Sequence, residues 1–174
     1  MKNDNQIFPF IIFFILTSSI NLFSQSYKII DDFNAKHISI DSLSSFFVAD
    51  SSWIIDFDID WRNDSSFGLL SVDLNNDGHD EHILISFPLC GTGGCVKVIL
   101  DGISNKYIGS LFGNPIAVSD VKINGWPVLI IYSHQSADSG IVSTFVFNGV
   151  KYVAVSSVML YGKSVDEYFK DIKE

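Results

Sequence analysis

The chain has 174 residues, 47% hydrophobic and 18% charged, with a formal net charge of −9 at pH 7. That length makes one domain the default, and that composition suits a packed globule rather than a disordered chain. The acidity argues against nucleic acid and anionic membrane surfaces as partners, because like charges repel.

The amino terminus reads as an export signal. Lys2 gives a weakly positive start, partly offset by Asp4, and Ile7 to Leu16 forms an apolar core of the right length. Small residues follow, and Ser24 and Ser26 fit a small-x-small cleavage rule. The cut is expected after Ser26, or after Ser24 if the rule is relaxed. Residues 1–26 are then a signal peptide and 27–174 a single exported β-rich domain in the periplasm, at the cell surface or secreted. An uncleaved anchor is the competing reading. Against it, Ile7 to Phe23 is short for a span and is interrupted by Thr, Ser and Asn. Cleavage removes one Lys and one Asp, so the net charge stays at −9.

The mature part is rich in aromatic and β-branched residues, which favours strands. Ser42 to Val48 is expected to form a short helix. Trp53 to Trp61 alternates strictly, with Ile55, Phe57, Ile59 and Trp61 on one side and Asp56, Asp58 and Asp60 on the other. Period two means a half-buried strand with a wet carboxylate face. Further strands are expected at Leu69–Val72, His82–Phe87, Val96–Leu100, Ile116–Ile123, Val128–Tyr132, Ile141–Phe147 and Tyr152–Leu160. Asp101-Gly102, Asn124-Gly125 and Asn148-Gly149 are hairpin-turn signals. At the end, Ser164-Val165-Asp166-Glu167 reads as a capping box for a helix from Val165 to Ile172, with Val165, Tyr168, Phe169 and Ile172 on one face. The expected fold is mainly β. It is an antiparallel meander of about eight strands with a short C-terminal helix, arranged as a curled sheet, a sandwich or a propeller-like fragment. Three strand–turn–aromatic passages, at Tyr107, Trp126 and Tyr152, are either a faint repeat or ordinary hairpin punctuation.

Two motifs carry chemistry. Asp73, Asn75, Asp77 and Glu81 place oxygen side chains at alternate positions of one loop, and Gly78 supplies a tight turn. With the backbone carbonyl of His79, they form a candidate oxygen set for a hard cation such as Ca²⁺. The competing reading is a metal-free turn in which Asp and Asn side chains bond the backbone. Cys90 and Cys95 enclose Gly91-Thr92-Gly93-Gly94; after export, that spacing points to a disulfide worth about 2 kcal/mol. A redox pair, or a zinc site drawing on His79 and His82, is the alternative.

The loop is not an EF-hand, because position 12 is Leu84 and strands flank it. Asp73, Asn75, Asp77, Gly78 and Glu81 match D-x-[DN]-x-D-G-x-x-[DE], and in this the segment Leu69 to Phe87 resembles the strand–loop–strand calcium hairpins of the FG-GAP and VCBS repeat families. With Cys90 to Cys95, it also resembles uncharacterised secreted bacterial proteins in which such a loop precedes C-G-[ST]-G-G-C. The resemblance implies bound calcium and a secreted β-scaffold. It implies no activity. Those propellers carry several such loops, and this chain has one.

Other candidates are weaker. Asp56, Asp58 and Asp60 could act as a glycosidase-like cluster or second cation site, or simply face water. His37, His79, His82 and His134 stand beside no recognisable nucleophile, and Ser133 to Gly140 reads as a polar hairpin loop. The function expected is a non-enzymatic exported β-domain that binds an extracellular or envelope protein or glycan. An envelope assembly component is one alternative. An extracellular polymer hydrolase using Asp56, Asp58 or Asp60 is another.

Overall fold

The computed structural model describes residues 26–38 and 67–172. The signal segment, the Ser42–Val48 helix and the Trp53–Trp61 strand with Asp56, Asp58 and Asp60 lie outside the described residues.

Ten described strands form two antiparallel five-stranded sheets. β1 (Tyr27–Ile30) leads through a 3₁₀ turn at Asp32–Asn34 to β2 (Lys36–Ile38). Then come β3 (Phe67–Val72), β4 (Glu81–Gly91), β5 (Gly94–Leu100), β6 (Tyr107–Gly113), β7 (Ile116–Ile123), β8 (Trp126–Ser136), β9 (Ser139–Phe147) and β10 (Tyr152–Tyr161). The chain ends in helix α1 (Lys163–Asp171). Sheet order is β1-β7-β8-β9-β10 in one layer and β2-β3-β4-β5-β6 in the other. The fold is thus two meanders joined at Gly113–Ile116. β1 is exchanged into the far layer, where Ile30 pairs with Ile116 and Tyr27 with Ser119.

Alternation explains the layering. Ile83, Ile85 and Ile99 of one sheet and Ile116, Val118, Leu129 and Ile131 of the other point into a single shared core. Each fully buried side chain of this size contributes roughly 1.5–3 kcal/mol. Trp126, Phe147 and Tyr152 close one end of the core, with Trp126 stacked on Phe147 at 4.8 Å and Tyr152 edge-on to Phe147 at 5.6 Å. Two of the three aromatics singled out as a faint repeat therefore meet in one cluster, as hairpin neighbours in a two-layer fold.

Among the described residues the expected strands are present, and most run longer than their apolar cores. Ser133 to Gly140 is not an extended loop. β8 continues through Ser136 and β9 resumes at Ser139, so only Ala137 and Asp138 turn. Helix α1 begins at Lys163, with Gly162 rather than Ser164 at its cap. The Ser164 hydroxyl instead accepts the Tyr161 N–H at 2.9 Å and donates to the Tyr161 carbonyl at 2.7 Å. The apolar face is as expected: Tyr168 and Phe169 pack on Tyr132 at 5.9 and 4.8 Å between ring centroids. Among the described residues, no helix is long and apolar enough to cross a membrane.

Candidate functional site

The loop after β3 is closed by its own ladder. Val72 pairs with Glu81, and the residues between them bulge from the sheet end. Asn76 at φ 62° and Gly78 at φ 90° provide the left-handed steps that reverse the chain. The side chains then tie the backbone. Asp73 accepts the Asp77 N–H at 3.2 Å through Oδ1 and the Gly78 N–H at 3.0 Å through Oδ2. Asn75 Oδ1 accepts the same Asp77 N–H at 2.8 Å, and its amide donates to Asp77 Oδ2 at 2.9 Å. Asp77 Oδ1 accepts the His79 N–H at 2.8 Å. These are Asx turns: acceptor side chains doing locally what a ladder cannot do in a loop.

Glu81 differs from the rest. It is 1% exposed, and its Oε2 accepts the Leu74 N–H at 2.7 Å. Burial raises its pKa above the usual carboxylate value, the Leu74 hydrogen bond pulls it back, and the charges of Asp77, Asp73 and Asp101 push it up further. The loop thus concentrates negative charge around a desolvated carboxyl group.

The donor chemistry fits calcium. Asp73, Asn75, Asp77 and Glu81 bear hard oxygens on one short loop, and an oxygen that accepts one N–H still has a second lone pair. Among the described residues, no three His, Cys, Asp or Glu side chains are already gathered as a metal-holding group. The other nominated residues separate. His79 is exposed on the loop. The His82 ring lies 3.4 Å from the Ser71 hydroxyl, and burial lowers its pKa. His37 leans on Phe87 at 4.9 Å, and His134 Nδ1 lies 3.4 Å from the Tyr132 hydroxyl. The Ser136 hydroxyl turns to Asp138 and Ser139, at 3.1 and 2.6 Å.

Cys90 and Cys95 are joined, with an S–S distance of 1.96 Å. Beyond Ser86–Val96 the ladder slips, and it re-forms only at Gly91–Gly94. The disulfide closes the hairpin over that irregularity.

Three features were not found in the sequence. The Lys122 ammonium donates to the Asn75 carbonyl, and a cleft of about 250 Å³ lined by Lys28, Asp73, Asp120 and Lys122 lies beside the loop. These lysines come from β1 and β7, so only the tertiary pairing brings them there. A second feature is an apolar groove of about 450 Å³ between α1 and the outer face of its sheet, lined by Tyr27, Val121, Ile130, Val142, Tyr168 and Ile172. The Tyr168 hydroxyl is buried with no hydrogen-bond partner.

The third is a charged cluster around a buried lysine. Lys97 is fully buried and forms an ion pair with Asp32 at 2.9 Å. Its ammonium also donates to the Gly113 carbonyl. Asn114 holds both acids of the 3₁₀ turn: its Oδ1 accepts the Asp32 N–H at 3.4 Å, and its amide donates to Asp31 Oδ1 at 3.3 Å. A lysine flanked by valines gives no sequence signal of burial, and its partner lies 65 positions upstream.

No family model, curated protein or solved structure matches the chain.

Proposed function

We propose that this is a non-enzymatic exported β-domain, braced by calcium at Asp73, Asn75, Asp77, the His79 carbonyl and Glu81, that binds an extracellular or envelope protein or glycan. The observation that carries the metal is the loop geometry, in which Asp73, Asn75, Asp77 and buried Glu81 follow one another around a single turn closed by the Glu81–Leu74 hydrogen bond, their carboxylates repelling one another. A divalent cation reverses that repulsion. The match of the loop to the FG-GAP and VCBS pattern supports the same reading. The joined Cys90–Cys95 pair and the apolar segment Ile7–Leu16 support export. The apolar groove beside α1 supports a binding role.

With ~1 mM free calcium and a Kd of ~0.1 mM, the brace stabilises the fold by about 1.4 kcal/mol. Thermal melts of the mature domain with calcium and with chelator test it. Calcium is expected to raise the melting temperature of the wild type, and Asp77→Ala to remove that response. An identical melting curve in both conditions eliminates the metal.

A second reading, an envelope assembly component, is favoured by one surface. Among the described strands β10 stands at a sheet edge, where it exposes Val155, Val158, Met159 and Tyr161. Co-purification of the domain with a large envelope complex distinguishes assembly from binding by free monomer.

A further inference from the structure

We propose that Lys97 and Asp32 condense into an intramolecular amide that crosslinks the amino-terminal arm to β5. Four observations meet at this pair. Lys97 lies between Ile85 and Leu111 across its neighbouring strands, and both belong to the shared core. Its stem therefore runs between apolar side chains, while its amine meets Asp32 and the Gly113 and Cys95 carbonyls. Its Nζ is 2.9 Å from Asp32 Oδ2, with side-chain exposures of 0% and 12%. Asp32 Oδ1 is buried with no hydrogen-bond partner, so the carboxyl group is only half satisfied as an ion. Asn114 accepts the Asp32 N–H and donates its amide to Asp31 Oδ1, which ties down the backbone that carries Asp32.

The chemistry follows from desolvation. Burial lowers the Lys97 pKa and raises that of Asp32, although each is drawn back by the other's charge. Proton transfer along the hydrogen bond yields a neutral amine and a carboxylic acid. The amine nitrogen attacks Asp32 Cγ, a C–N bond forms, and the C–O bond breaks. The departing hydroxyl takes one amine proton and leaves as water. No oxidant, reductant or activating group is consumed. In water the reverse reaction wins. With Lys97 sealed from water and the partners held together, effective molarities of about 10⁵–10⁸ M apply. The amide also replaces two buried charges, which are costly, by a neutral group. Asn114 acts here as a positioning residue.

Mass spectrometry of the folded, disulfide-reduced domain tests the proposal. The expected mass is lower than that of the polypeptide by one water. Trypsin, which cuts only after a free lysine amine, is expected to spare Lys97 and to leave residues 29–36 attached to residues 63–106. Lys97→Arg preserves the charge but is expected to show the full polypeptide mass. Asp32→Asn offers an amide electrophile, so its deficit is expected to become one ammonia. Asn114→Ala is expected to slow the loss of water during refolding, whereas a merely structural Asn114 would change the melting temperature and leave that rate alone. A wild-type mass equal to the full polypeptide after prolonged incubation overturns the proposal. So does cleavage after Lys97, or a water deficit that persists in Lys97→Arg and maps to Asp77-Gly78 or Asp101-Gly102.

Discussion

Glu81 Oε2 accepts the backbone N–H of Leu74 at 2.7 Å, joining the two ends of the 73–81 loop through one carboxyl group. Both residues are buried. Burial raises the Glu81 pKa, as do Asp77, Asp73 and Asp101. An acid with a raised folded-state pKa binds more protons folded than unfolded, so stability falls as pH climbs from 4.5, the value in the unfolded chain, through the folded value. In chelator, the domain is therefore expected to lose stability across that window, and Glu81→Gln is expected to flatten the profile. Calcium is expected to flatten it too, by favouring the carboxylate. Denaturant melts at several pH values, with and without calcium, measure all three. A Glu81→Gln profile as steep as the wild type removes Glu81 as the titrating group.

The same contact has a structural side. Glu81→Ala leaves the buried Leu74 N–H without an acceptor, at a cost of about 1–3 kcal/mol, plus a cavity. Glu81→Gln keeps an acceptor oxygen and avoids the buried charge. It is expected to be at least as stable as the wild type in chelator and less stable than it in calcium. That crossing of order is the signature of a ligand carboxylate, and urea midpoints in the two buffers reveal it.

Gly102 lies where the β5–β6 turn passes under the loop. A Cβ placed there would fall 2.2 Å from the Asp80 carbonyl oxygen and 2.7 Å from its carbon. Backbone cannot swing aside as a side-chain tip can. Gly102→Ala is expected to destabilise the domain by about 1–3 kcal/mol and, under the proposed calcium brace, to weaken calcium binding by displacing the loop. Isothermal titration with calcium and a melting curve report the two effects. Unchanged affinity would uncouple this turn from the loop.

How far the residues announced this arrangement depends on the range of the interactions. The Asp73–Glu81 loop and the Asn124-Gly125 turn were legible because their geometry is local: Asx acceptors, a glycine, and flanking alternation within a few positions. β6 was missed because Gly109 and Gly113 interrupt the apolar pattern of Tyr107–Gly113, although those glycines face Tyr152 and the Tyr132 carbonyl closely. β1 and β2 are short and mostly exposed, so periodicity has little to register. Lys97–Asp32 and Lys122–Asn75 were invisible for another reason. Each joins segments that meet only after β1 crosses to β7 and the sheets pack. The capping box at Ser164 misled by two residues because a serine hydroxyl serves a turn as readily as a helix start.

The Tyr168 hydroxyl, buried beneath α1 with no hydrogen-bond partner, allows a prediction about the groove beside it. Burial pushes its pKa far above the ordinary phenol value, so it is a neutral donor at every physiological pH. An unpaired buried hydroxyl costs about 1–3 kcal/mol. Tyr168→Phe keeps the ring on Tyr132 and removes the unpaired group, so it is expected to stabilise the domain by about 1 kcal/mol. Tyr168→Ala instead strips the ring that packs α1 to the sheet, and is expected to destabilise it by about 3–5 kcal/mol. If Tyr168→Phe melts below the wild type, the hydroxyl has a partner in solution, and the groove contains a polar contact that its apolar lining conceals. Retaining a buried donor at some cost in stability is what a binding groove requires, because a ligand that supplies the acceptor recovers that cost only on binding.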